Sequence, residues 1–173
     1  MGEMVLVLGG ARSGKSSFAL KMCSGRKGRK AFIATAVTET LDEEMKARVE
    51  AHKREREAET GWENFEETAD LPGLIERTGA LFDVILIDCL TLWLSNLLIE
   101  KADMKGETAR LLKAIKGAGG AVCTVSNEVG MGVVPETPLG RAFRDEAGRL
   151  NQLAAAAADR VYLVTAGIAN RIK

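Results

Sequence analysis

The sequence predicts a single α/β domain, a mostly parallel sheet with helices on both faces, and three observations lead there. Short apolar runs alternate with helix-like stretches along the whole chain. The runs are apolar at nearly every position rather than at every second one, as strands are when both faces of a parallel sheet are covered. The first run, Met4 to Leu8, leads into a glycine-rich segment and then into a helix-forming stretch, a strand–loop–helix order. Residues 1–173 read as one domain, long enough for a real core, without internal repeat or linker.

In order, Met4 to Leu8 is the first strand and Ser17 to Met22 the first helix. A basic polar turn, Ser24 to Lys30, leads into a second strand over Ala31 to Ala36. Leu41 to about Glu59 predicts a long charged helix, with Leu41, Met45 and Val49 forming one apolar stripe. Gly61 breaks it, and Trp62 to Glu66 is a short strand. Leu71 to Arg77 is a short helix whose Pro72 suits the first turn. Asp83 to Asp88 is a buried strand closed by an acid, followed by helices over Thr91 to Ile99 and Gly106 to Ile115. Gly117 to Gly120 turns the chain into the strand Ala121 to Ser126. Arg141 to Ala158 is helical, and its alanine tract, Ala154 to Ala158, reads as close helix packing. Arg160 to Val164 is the last clear strand.

The chemistry starts at Gly9-Gly10-Ala11-Arg12-Ser13-Gly14-Lys15-Ser16, which fits the phosphate-binding pattern G-x-x-x-x-G-K-[ST]. Its glycines let several backbone N–H groups turn inward, and no Cβ blocks a phosphate from reaching them. The following helix adds its free N–H groups and positive dipole end. Lys15 reaches the β- and γ-phosphates, and the Ser16 hydroxyl is a ligand for Mg²⁺. The fold expected is therefore of the P-loop NTPase type. Asp88 ends a buried strand at the sheet edge where such folds bind ligands. Two roles suit it: holding Mg²⁺ together with Ser16, or capping the helix that starts near Thr91.

His52, the only histidine, falls three residues after Val49. Taken alone it is a side chain at the edge of the helix stripe. Its neutral imidazole is also a nucleophile toward phosphorus, with Lys53, Arg54 and Arg56 nearby to favour the neutral form and stabilise phosphate oxygens. The stretch Ser126 to Pro135 follows a strand, so it lies at the same edge as Asp88; its two glycines and proline fit a ligand loop or a structured turn equally.

Composition narrows the partners. Lys+Arg and Asp+Glu are equal at 24 each, so no basic field recommends nucleic acid or an anionic membrane. No apolar stretch is long enough to span a bilayer. A strand starting at Met4 leaves no room for a secretory leader. Cys23, Cys89 and Cys123 lack metal-type spacing and suit buried, reduced thiols. A cytoplasmic location is expected.

Across this frame the sequence resembles the bifunctional adenosylcobinamide kinase / adenosylcobinamide-phosphate guanylyltransferase family of cobalamin biosynthesis. The matching segments run in order over nearly the whole chain: Gly9 to Ser16; Ala34-Thr35-Ala36; Asp42 to Met45 with Arg48, Val49 and His52; Asn127 to Gly132 with Val134-Pro135; and Phe143-Arg144-Asp145 with Gly148, Arg149 and Asn151. The Asn-Glu-Val-Gly-Met-Gly segment is much more specific than the phosphate loop. The resemblance implies that His52 carries GMP covalently. It implies nucleotide contacts at Gly9 to Ser16, Ala34, Thr35, Ala36, Lys53, Arg54, Glu55, Arg56, Glu66 and Asp88. It implies ATP and GTP as substrates, with Mg²⁺, and a homotrimer binding adenosylcobinamide between subunits. The chain departs from the family pattern at Glu57, usually proline, and at Asp88, often glutamate. Two other functions fit the phosphate loop alone: a different small-molecule kinase, or a GTP-binding regulatory protein without covalent chemistry.

Overall fold

The computed structural model describes residues 2–36 and 61–173. The helix expected over Leu41 to Glu59 lies outside them. The described strands are β1 (Met4–Gly9), β2 (Lys30–Ala34), β3 (Trp62–Glu66), β4 (Val84–Asp88), β5 (Ala121–Asn127), β6 (Arg160–Thr165) and β7 (Ile168–Arg171). The described helices are α1 (Lys15–Ser24), α2 (Leu71–Thr78), α3 (Leu90–Ile99), α4 (Met104–Gly117) and α5 (Pro138–Ala157), with a short 3-10 turn at Gly79–Leu81. They form one sheet in the order β3-β2-β4-β5-β1-β6-β7. All neighbouring pairs are parallel except β6 with β7, which is antiparallel.

The strands alternate between two packed faces. Met4, Leu6, Leu8, Ile33, Ile85, Ile87 and Val122 pack with α2, α3, α4 and α5. Val5, Val7, Phe32, Val84, Leu86 and Val125 face the other way, toward Ala19 and Cys23 of α1. A strand buried on both sides gains hydrophobic stabilisation from every residue, which is why these runs read as unbroken apolar sequence. Of the alanine tract, Ala154 and Ala158, the latter just past the helix end, are buried, while Ala156 is exposed. All three cysteines are free and buried.

Helix ends follow local chemistry. Asp70 accepts from the Gly73 N–H at 3.1 Å, Asp103 from Gly106 at 3.1 Å and Thr137 from Gly140 at 3.1 Å, each satisfying an otherwise orphaned first-turn donor. Pro72 sits in the first turn of α2, as expected.

Beyond the last strand expected from the sequence, the chain turns back through Ala166 (φ 51°) and Gly167 (φ 80°) into β7. Two consecutive left-handed residues give a turn whose twist matches the strands it joins. β7 is short and largely exposed, so it carries little of the apolar pattern that marks the inner strands.

Candidate nucleotide site

The carboxyl ends of β2, β4, β5 and β1 form one edge. The register pairs Ala34 with Asp88, Asp88 with Val125, and Gly9 with Asn127. Sequence-distant residues 9–16, 34–36, 88 and 127–128 therefore share that edge, outside which parallel α/β sheets bind ligands.

The phosphate loop departs from β1 at Gly9. A Cβ there would come within 2.4 Å of the Ser13 Oγ and 2.7 Å of the Val164 carbonyl, so only glycine fits. Arg12 (φ 57°) and Gly14 (φ 90°) are both left-handed, which curls the backbone into an anion-binding concavity. The first turn of α1 contains no acid, and its cap residue, Gly14, offers no side-chain hydrogen bond. The helix N-terminus thus presents unsatisfied N–H donors with no competing carboxylate. The Lys15 Nζ donates to the Gly10 carbonyl at 3.2 Å, which places the ammonium over the loop.

Asp88 is half-buried, and its side chain has no hydrogen bond or ion pair to the described residues. The residue capping α3 is Cys89, without a side-chain bond, so helix capping is not the role of Asp88. Burial, reinforced by Asp88, pushes the Cys89 thiol up to about 11. It therefore stays protonated near neutral pH and is a poor nucleophile. Among the described residues no group of three or more His, Cys, Asp or Glu side chains could cage a metal. The Ser16 hydroxyl and the Asp88 carboxylate are hard oxygen donors. They fit Mg²⁺, which takes one or two protein oxygens and completes its shell with phosphate and water.

Ala34, Thr35 and Ala36 sit beside Asp88, but the Thr35 side chain turns inward. Its hydroxyl donates to the Cys89 carbonyl at 2.7 Å and accepts from the Cys89 N–H at 2.9 Å. The backbone of this stretch is engaged as well: the Thr35 N–H donates to the Asp88 carbonyl at 3.3 Å, and the Ala34 carbonyl accepts from the Glu67 N–H at 2.9 Å. The Asn96 amide holds it, donating to the Thr35 carbonyl at 3.0 Å and to the Thr68 carbonyl at 2.9 Å. Sequence reasoning missed Asn96; the available signal was an amide in the mostly apolar helix α3.

Glu66 ends the edge strand β3, opposite Ala34. It is exposed and four strands from β1 in the sheet order, roughly 19 Å at ordinary strand spacing. The structure thus sets Gly9, Gly10, Ala11, Arg12, Ser13, Gly14, Lys15 and Ser16 at the end of β1 and beyond it, Asp88 two strands away at the end of β4, and Glu66 two strands further at the end of β3. His52, Lys53, Arg54, Glu55 and Arg56 lie outside the described residues.

A second polar cluster flanks the loop. The Thr91 and Ser126 hydroxyls are 3.1 Å apart, Ser126 donates to Asn151 Oδ1 at 2.7 Å, and the Asn127 N–H donates to Thr91 Oγ1 at 2.7 Å. The Asn151 amide donates to the Asn127 carbonyl at 3.0 Å and to Glu128 Oε1 at 2.9 Å. Of the two readings left open for the segment Ser126 to Pro135, its first residues are thus built rigidly against the phosphate loop.

Comparison with known proteins places this architecture. The family model described as cobinamide kinase / cobinamide phosphate guanyltransferase matches residues 5–172. The bifunctional adenosylcobalamin biosynthesis protein CobU of Escherichia coli K12 is 40% identical over 185 residues, covering 98% of this chain and 99% of that protein. The Salmonella typhimurium LT2 protein of the same name is 42% identical over 186 residues, with 98% and 99% covered. The bifunctional adenosylcobalamin biosynthesis protein CobP of Pseudomonas aeruginosa is 38% identical over 170 residues, covering 97% and 96%. Among solved structures, the flagellar accessory protein FlaH of Methanocaldococcus jannaschii superposes with a TM-score of 0.58 at 11% identity, covering 99% of this chain and 78% of that one. The RadB recombinase gives 0.55 at 15% identity, covering 94% and 74%. At such identities these two structures speak for the fold alone.

Proposed function

The chain belongs to the cobinamide kinase / cobinamide phosphate guanyltransferase family, and from that premise we propose that it catalyses two consecutive steps of cobalamin biosynthesis. In the first, the γ-phosphoryl group of ATP or GTP passes to the aminopropanol hydroxyl of adenosylcobinamide. In the second, GMP passes from GTP to the phosphorylated product, giving adenosylcobinamide-GDP. The observation that carries the reading is a family match over residues 5–172 that includes an intact phosphate loop.

The mechanism follows from the chain's own groups. The inward N–H groups of the loop and the α1 N-terminus hold the nucleotide phosphates. Lys15 sits where charge builds on the transferring group. Ser16 and Asp88 are the residues that would hold Mg²⁺, whose chemistry when bound is to neutralise charge on the bridging phosphate oxygens. For the second step we assign His52 as the nucleophile. Its ring nitrogen bonds to the α-phosphorus of GTP as the bond to pyrophosphate breaks. A phosphate oxygen of the cobinamide phosphate then displaces the histidine, so one displacement becomes two. Lys53, Arg54, Glu55, Arg56 and Glu66 complete the nucleotide contacts in this reading. The working state is a cytoplasmic homotrimer that binds the corrinoid between subunits.

The test is incubation with α-labelled GTP followed by a denaturing gel. Label should stay on the protein, be lost in acid and survive in base, as a phosphorus–nitrogen bond requires. Absence of protein-bound label while cobinamide phosphate is still guanylylated would overturn the covalent step.

A further inference from the structure

We infer that Glu128 takes the proton from the acceptor hydroxyl in the kinase step and that Asn151 positions it, an inference that rests on the kinase reading above. Four carboxylates lie at or just beyond the carboxyl edge of the sheet among the described residues: Glu66, Glu67, Asp88 and Glu128. Glu66 and Glu67 are at the end of the edge strand β3, Glu67 accepting from the Ala69 and Asp70 N–H groups, and Asp88 is the acid assigned above to Mg²⁺. Glu128 follows β5, the strand between β4 with Asp88 and β1 with the phosphate loop. Its backbone N–H donates to the Gly9 carbonyl at 3.1 Å, which fixes it against the first residue of that loop.

The Glu128 carboxylate is half-buried and has no cationic partner among the described residues. Its one side-chain hydrogen bond there comes from Asn151. The surrounding network dictates which way that amide faces. Ser126 has a single hydroxyl proton, committed to Asn151 Oδ1, so the Thr91 hydroxyl must be the donor to Ser126. Asn151 therefore presents its NH₂ to the Asn127 carbonyl and Glu128. The reversed amide would aim an acceptor oxygen at two acceptors, an arrangement with nothing to hold it. The amide thus fixes the position of the Glu128 carboxylate, while leaving other lone pairs for a donor outside this network.

Alcohol phosphorylation needs such a group. The hydroxyl oxygen bonds to the γ-phosphorus, the bond from that phosphorus to the β,γ-bridging oxygen breaks, and the hydroxyl proton must leave. In this assignment it goes to Glu128 and from there to solvent. Transfer of GMP to His52 has no alcohol to deprotonate, so it does not call on Glu128.

The experiment follows γ-label from ATP into cobinamide alongside α-label from GTP into protein, for wild type, Glu128→Gln, Glu128→Asp and Asn151→Ala. Glu128→Gln should lower the kinase kcat by about 10²–10⁴-fold, the range for a lost general base. Nucleotide affinity, Mg²⁺ dependence and protein labelling should stay at wild-type levels. Glu128→Asp should recover part of the rate. Asn151→Ala should lower the kinase kcat with little change in the KM for cobinamide and with labelling preserved. A Glu128→Gln enzyme that phosphorylates cobinamide at the wild-type rate overturns the inference. So does one that loses labelling and phosphorylation in parallel, or one that only needs more Mg²⁺. A folded wild-type chain that labels with GMP but never phosphorylates cobinamide overturns the kinase reading itself, and this inference with it.

Discussion

The backbone N–H of Gly167 donates to the carbonyl of Ser13 at 2.8 Å, tying the turn between β6 and β7 to the middle of the phosphate loop. A Cβ on Gly14 would sit 3.3 Å from the Gly167 Cα, so the two glycines lie against each other. The antiparallel hairpin thus forms part of the wall behind the loop.

Substituting either glycine should have different consequences. Gly167 has φ 80° and open space around its Cβ position, so Gly167→Ala carries a conformational cost alone. It should lower stability by about 1 kcal/mol, a Tm drop of about 3 °C, with a small loss of nucleotide affinity. Gly14→Ala combines φ 90° with the close approach to Gly167 and should weaken nucleotide binding much more than it lowers Tm. Thermal melts paired with nucleotide titrations check both; equal effects on binding would show that the hairpin contact does not shape the loop.

Lys15→Ala removes the ammonium held over the loop while leaving the backbone cradle in place. Both half-reactions should fall by about 10²–10³-fold, the usual loss when one preorganised charge-stabilising group is removed. Far-ultraviolet circular dichroism should be unchanged. Wild-type GTP affinity and turnover in this variant would contradict the phosphate-loop assignment.

Asp88→Asn keeps the shape of the side chain and removes its charge. The Mg²⁺ concentration needed for half-maximal activity should rise on the order of tenfold and the maximal rate should fall. Because Cys89 rather than Asp88 caps α3, little change in Tm is expected. A variant that melts early but shows normal Mg²⁺ dependence would return Asp88 to a structural role.

His52→Ala and His52→Asn should abolish labelling from α-labelled GTP and formation of the GDP-linked corrinoid, while part of the kinase activity persists. His52 is the only histidine, so no other imidazole can substitute. In the wild type, labelling should decline as the medium is acidified, because only the neutral ring has a free lone pair. Label remaining on the variants would place the covalent link on another side chain.

Acid should release one long-range tie. Burial pushes the Glu3 carboxyl up, but Arg26 at 2.5 Å and Arg160 at 2.6 Å outweigh it and hold the group below its ordinary value of 4.5. A carboxyl with a depressed folded pKa contributes stability above its unfolded value and loses it as pH falls through the folded one. The three side chains are a quarter to a third exposed, so the contribution is modest, about 0.5–1 kcal/mol. Glu3→Gln should melt below wild type at pH 7, and the difference should shrink and vanish as the pH is lowered through the depressed folded pKa of Glu3. A gap that persists in acid would mean the side chain acts through packing.

The local pattern of the chain determined the fold class. Runs such as Val84–Asp88 and Ala121–Asn127 are apolar because the sheet is covered on both faces, and that constraint is written residue by residue. The phosphate loop was equally legible, since left-handed backbone at Gly14 and the lack of space for a Cβ at Gly9 demand glycine at fixed spacing. The tertiary structure decided what depends on residues far apart in sequence. β7 escaped notice because an exposed edge strand buries too little to impose a pattern. Neither the Gly167–Ser13 bond nor the chain from Thr91 through Ser126 and Asn151 to Glu128 leaves a periodic trace. Each joins polar groups from segments far apart in sequence that the sheet and its packing bring together.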